Sequence, residues 1–224
     1  MNQSRTTTLP NPLVRVSVTW LWLAVPMILL RISPSIAHGL FRQPYFSSYF
    51  EILLAGLIPV LFTIFGREKW SQYGLTSRGF SKSLVWSLVF VAVSYSYSKL
   101  STGHWISFGT LVSSLSVPAK VSYAFLGIFA YGPLEMFFFI WLVCNTEQIF
   151  HGRSGSFLLS LTITAVLYGL LHFIFQGFWA SLDISVTFFV LGLIFRLTKS
   201  SIGPMVAWTL LNAQVWFLGS LLWS

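Results

Sequence analysis

Seven apolar runs, near residues 14–31, 49–65, 83–100, 119–150, 156–175, 178–197 and 203–223, alternate along this chain with short polar segments. Each is long enough for a helix that crosses, or nearly crosses, a hydrocarbon layer ~30 Å thick. No stretch shows the period-two alternation of a transmembrane barrel, and lipid holds no water for unpaired strand edges, so helices are the expected form. The pattern predicts an all-α, polytopic transmembrane bundle of about seven spans, built as a single domain over residues 1–224. It contains no internal repeat and no low-complexity linker.

Within that apolar text, Glu135 lies in Tyr131-Gly-Pro-Leu-Glu-Met-Phe-Phe-Phe-Ile-Trp-Leu-Val143, and His172 lies in Ala165-Val-Leu-Tyr-Gly-Leu-Leu-His-Phe-Ile174. An ionisable group at membrane depth costs roughly 2.5–3.5 kcal/mol on insertion scales, so it is expected to face a partner or a water-filled cavity. Gly132-Pro133 divides the long fourth run and predicts a helix that restarts at Pro133. Glu135 would then sit in the first turn, where free N–H groups and the helix dipole favour an anion. His172 falls at a similar depth, near the end of the next, antiparallel helix. Asn212 comes out nearer the bilayer middle and meets the other two only if a helix tilts or starts deeper.

Composition agrees with the pattern: 55% hydrophobic residues, 8% charged residues and a mean hydropathy of +0.78 mark an integral membrane protein. The net charge of +8 gathers at span ends, which suits membrane lipids with anionic headgroups and gives no reason to expect a nucleic-acid partner. If the runs cross in turn, one side holds Arg5, Arg15, Arg67, Lys69, Arg78, Lys82, Arg153, Arg196 and Lys199, and the other holds Arg31, Arg42, Lys99 and Lys120. That asymmetry places the N-terminus in the cytoplasm. Ser35-Ile-Ala37 faintly resembles a signal-peptide cleavage site, but Arg31 and Pro34 intervene and favour a retained first helix. Cys144 is the only cysteine, so no intrachain disulfide can form.

Three spaced motifs resemble those of the CAAX protease and bacteriocin-processing family of intramembrane proteases, over roughly residues 70–215. That family carries a Glu-Glu pair with Arg four residues after the second Glu, a Phe with His four residues on, and a His with Asn four residues on. This chain reads Glu135-Met136-Phe-Phe-Phe-Ile140, Tyr168-Gly-Leu-Leu-His172 and Trp208-Thr-Leu-Leu-Asn212. Tyr73-Gly-Leu-Thr and Ser201-Ile-Gly-Pro-Met are also similar to family text. The resemblance implies a CAAX prenyl endopeptidase-like fold. It implies Glu135 as general base, His172 as its partner or a metal ligand, and Asn212 as an oxyanion donor. The implied substrate is a CAAX-type or other membrane-associated peptide or protein. A zinc ion at Glu135 and His172 is not supported by the ligand count, because a catalytic zinc takes three protein ligands and only these two can be named, so no cofactor is expected.

The motifs also depart from the family. Met136 stands for the second Glu and Ile140 for the Arg. As i,i+4 neighbours they read as an ion pair exchanged for an apolar contact. Trp208 stands for the third-motif His; its indole donates a hydrogen bond but neither accepts a proton nor binds a metal. Simpler readings stand beside these. Glu135 alone caps a helix, His172 and Asn212 alone join helices, and Tyr168 packs one turn before His172. Asp183 suits an interfacial or capping role. His38, His104, His151, Glu51, Glu68 and Glu147 fall in loops or near interfaces and receive no chemistry. Two main functions are therefore open: an endopeptidase-like hydrolase working through a Glu-His pair, or a catalytically inactive relative that binds a membrane peptide or prenyl tail as a scaffold. A small-molecule transporter ranks third, since there is no repeat and few intramembrane charges.

Overall fold

The computed structural model describes residues 11–35, 46–103, 116–151 and 153–212. Arg5, Ile36, Ala37, His38, Arg42 and His104 lie outside them. All described regular structure is helical: α1 (Pro12–Ile32), α2 (Phe46–Glu51), α3 (Ile58–Phe65), α4 (Phe80–Thr102), α5 (Val117–Phe129), α6 (Glu135–Ile149), α7 (Ser156–Gln176), α8 (Phe178–Thr198) and α9 (Ile202–Asn212), with a short 3₁₀ turn at Trp70–Tyr73. π-helical segments join α2 to α3 (Ile52–Leu57) and α5 to α6 (Ala130–Leu134). Among the described residues, five helical stretches are long and apolar enough to cross a membrane: Pro12–Ile32, Ser48–Phe65, Val117–Ile149, Ser156–Ile174 and Phe178–Thr198. The third run forms α4, whose many serines dilute its apolar character, and α9 is described as far as Asn212.

The fourth run does not break where the sequence suggested. Val117–Ile149 is one continuous helical stretch. Pro133 has no N–H to return to a carbonyl four residues back, and the chain absorbs that loss by widening a turn into π register. Glu135 is therefore not in a free first turn. Its own N–H donates to the Ala130 carbonyl five residues back.

α6 is the axis of the bundle. Its sequence is apolar all round, which is the pattern of a helix buried on every side. Phe138, Phe139, Ile140, Trp141 and Leu142 are fully buried among α1, α7, α9, the first π segment and the 3₁₀ turn. The outer helices expose large apolar side chains, including Leu21 and Leu29 on α1 and Val85, Trp86 and Val93 on α4. In water such a surface would aggregate; against acyl chains it is at home.

One end of the bundle is pinned by polar contacts. The Arg15 guanidinium donates to Glu68 Oε1 at 2.6 Å and to Gln148 Oε1 at 3.1 Å, and the Tyr73 hydroxyl donates to Glu68 Oε2 at 2.6 Å. The sequence had placed Arg15 and Glu68 simply at span ends. Ser201 N–H donates to the Gly74 carbonyl at 3.0 Å, so the segments around residues 73 and 201 meet in space. Gly74 adopts φ +78°, and a Cβ there would lie 2.6 Å from Ser201 N. Burial, followed by the bond to Glu68, pushes the Tyr73 hydroxyl above its ordinary value. The folded protein therefore holds that proton longer than the unfolded chain does. Stability is full below ~10, the ordinary tyrosine value, and declines as pH climbs past it. In thermal melts above that pH, the native protein is expected to lose stability more steeply than Tyr73→Phe; equal slopes would contradict this.

Candidate active site around Glu135

The second π segment sets the direction of Glu135. One extra residue in the turn rotates everything after it by about 100° relative to a straight helix, and π bulges often occur at functional sites. Glu135, buried at the start of α6, receives hydrogen bonds from two other helices. From α7, the Tyr168 hydroxyl donates to Oε1. From α9, Trp208 Nε1 donates to Oε2 at 2.7 Å and Asn212 Nδ2 donates to the same oxygen at 3.1 Å. Asn212 Nδ2 also donates to the Tyr131 carbonyl at 3.2 Å. A carboxylate offers about four acceptor positions, so three donors leave one, on Oε1.

Close helix approach makes this reach possible. A Cβ on Gly132 would lie 2.2 Å from Thr209 Oγ1, and α9 packs directly on the π segment. Gly132→Ala is expected to push α9 outward, stretch the Trp208 and Asn212 contacts and cost roughly 1–3 kcal/mol by overpacking. Thermal unfolding in detergent checks the magnitude; an unchanged midpoint would show that α9 yields without cost.

His172 sits one turn after Tyr168. Its Nδ1 lies 2.9 Å from the Tyr168 carbonyl, and the two rings are 4.9 Å apart. A carbonyl only accepts, so Nδ1 carries the proton and Nε2 keeps its lone pair. Among the described residues nothing hydrogen-bonds Nε2. No bond joins His172 to Glu135. Tyr168 links them instead, through its hydroxyl to the carboxylate and its carbonyl to the imidazole.

The structure thus brings Glu135, Asn212, Trp208 and Tyr168 into direct contact and places His172 behind Tyr168. Sequence reasoning took Tyr168 for packing and Trp208 for a hydrogen-bond donor standing where the family has a His. Met136 and Ile140 are fully buried in the core of α6 and leave no unpaired charge there. Phe188 closes the apolar side, with its ring 4.6 Å from Tyr168 and 4.5 Å from Trp208. Glu135, Tyr168 and Trp208 are buried, whereas His172 and Asn212 are half-buried. Asp183 on α8 is exposed.

The site does not suit a metal. Protons from Tyr168, Trp208 and Asn212 all point at the carboxylate, where a cation would meet them head-on. Among the described residues no group of three or more His, Cys, Asp and Glu is arranged to hold one. Tyr168→Phe removes the Oε1 donor while keeping the ring. The carboxylate then loses a hydrogen bond, at about 1–3 kcal/mol of stability for a charged acceptor. The loss should appear as a lower unfolding midpoint, and no loss would mean the bond is not made in solution.

Compared with models of known families, with curated proteins and with solved structures, the chain finds no match in any of the three.

Proposed function

We propose that the chain is an intramembrane endopeptidase-like protein with a fold of the CAAX protease type, seven spans and a cytoplasmic N-terminus. The observation that carries this reading is a buried carboxylate held by donors from two neighbouring helices inside an apolar bundle. Such a group costs too much at membrane depth to be retained without a role, and its one open acceptor position on Oε1 suits a water molecule. In the proposed reaction, Glu135 takes a proton from that water as the water oxygen attacks the scissile carbonyl, and gives it to the leaving amine nitrogen as the C–N bond breaks. The His172 imidazole, with Nε2 free, stands near enough in the chain of contacts to move a second proton. Asn212 uses both its amide protons on Glu135 and Tyr131, so it serves first as a positioning residue for the base. The orientation is supported by the grouping of Arg15, Arg196 and Lys199 at the pinned end of the bundle.

A second reading rests on a specific observation: Tyr168, Trp208 and Asn212 each give a hydrogen bond to Glu135, as around a purely structural buried carboxylate. On that reading the protein is an inactive relative that binds membrane peptides or prenyl tails as a scaffold. Purified protein in lipid, incubated with prenylated and unprenylated peptides, separates the two. Cleavage supports the hydrolase. Absence of cleavage, with cleavage gained when Met136→Glu, Ile140→Arg and Trp208→His are combined, supports a lapsed site in an intact bundle. The three must be combined, because Met136→Glu or Ile140→Arg made alone would bury an unpaired charge. No cleavage by either form would remove the protease lineage as a guide.

A further inference from the structure

Glu51 ends α2, and the π segment Ile52–Leu57 begins at the next residue. The second π segment, Ala130–Leu134, ends immediately before Glu135. These two π segments pack on each other, and a Cβ on Gly56 would lie 2.8 Å from the Leu134 side chain. α2 itself packs on the second π segment and on α5. The result is a second carboxylate beside the first, close enough for Glu51 to interact electrostatically with both Glu135 and Tyr168.

The two acids are held very differently. Glu135 is buried and accepts from three side chains. Glu51 is half-buried, and among the described residues no hydrogen-bond donor or cation meets it. The described ion pairs, Arg15–Glu68 and Arg196–Glu147, lie at the pinned end of the bundle. One turn before Glu51, on the same face of α2, the Ser48 hydroxyl is 2% exposed and has no hydrogen-bond partner among the described residues. Glu51, the Ser48 hydroxyl and Glu135 are acceptors on elements that pack together. Two close carboxylates in a low-dielectric setting stay ionised together only with a positive charge beside them, and otherwise one holds a proton. A cationic group on a bound peptide supplies that charge.

We propose that Glu51 is the specificity residue of the site, and that it selects peptides bearing an amine or guanidinium group next to the bond presented to Glu135. The proposal rests on the reading of Glu135 as a site for bound peptide. It assigns the charge contact to half-buried Glu51 and the bond-breaking to buried Glu135. Ser48 supplies a further acceptor for the same cationic group.

The test uses the full chain in lipid nanodiscs and a set of apolar peptides of one sequence. Lys, Arg, citrulline, norleucine or Glu is placed at each position in turn. Binding is followed by fluorescence anisotropy and cleavage by mass spectrometry. The native protein is expected to favour Lys and Arg peptides over citrulline and norleucine by about tenfold or more, the worth of one charge-assisted hydrogen bond. Glu51→Gln should bring that ratio towards one, and Glu51→Lys should turn it in favour of the Glu peptide. Cleavage without charge preference would overturn the role of Glu51 while leaving the hydrolase reading intact. Charge-selective binding without cleavage would support Glu51 and remove the hydrolase reading. A preference that Glu51→Gln leaves untouched, or no binding and no cleavage of any peptide, overturns the proposal.

Discussion

Glu135→Gln is expected to reduce peptide hydrolysis by about 10²–10⁴-fold, the usual contribution of a positioned general base. Gln keeps the size of the side chain but cannot take a proton from water. It also turns an NH₂ group towards donors that need an acceptor, from Tyr168 on one side and Trp208 and Asn212 on the other. The loss should fall on kcat, because a general base acts in the transition state and Glu135 is buried. Glu135→Ala should behave alike in activity and worse in stability. It strands the Trp208 N–H and one Asn212 N–H, at about 1–3 kcal/mol for each buried donor left alone. Turnover unchanged by Glu135→Gln would remove Glu135 from the chemistry.

Glu68→Leu should be the most destabilising single substitution at the pinned end of the bundle. It leaves the Arg15 guanidinium buried, with only Gln148 to accept from it, and it strips the Tyr73 hydroxyl of its acceptor. Breaking one side of a buried ion pair costs about 3–5 kcal/mol. The double variant Arg15→Met with Glu68→Leu removes both charges and should recover much of that loss, because an apolar pair of similar volume needs no desolvation. Denaturant titration of the purified variants in detergent measures both steps. If the single and double variants were equally destabilised, the Arg15–Glu68 pair would not be the cause.

The helices were legible because the chain writes them as long apolar runs, and lipid leaves the backbone few other choices. Glu135 and Asn212 were legible for a different reason. A charged or amide side chain inside such a run is conspicuous, and the motif spacing linked the two across 77 residues. Tyr168 was not legible. A tyrosine within an apolar run reads as packing, and only the rotation of α6 by the π segment decides that its hydroxyl meets the carboxylate. The same rotation was hidden by Pro133, which in sequence reads as a start and in the folded chain is absorbed by a wider turn. That Glu51 ends a helix packed on the second π segment was not legible, because distance along a span says little about depth beside a long neighbouring helix such as Val117–Ile149. The Arg15–Glu68 pair was missed because its members are separated by 53 residues, and each alone looks like an ordinary charge at a span end.

The central claim is that Glu135 activates water against a peptide bond within the bundle. Its most direct test is single-turnover cleavage of a membrane-embedded peptide by the purified protein in water enriched in oxygen-18. The account expects one heavy oxygen in the new carboxyl group of the amino-terminal product from the native protein, and intact peptide from Glu135→Gln. Peptide left whole by folded native protein, or labelled product formed equally by Glu135→Gln, would contradict it.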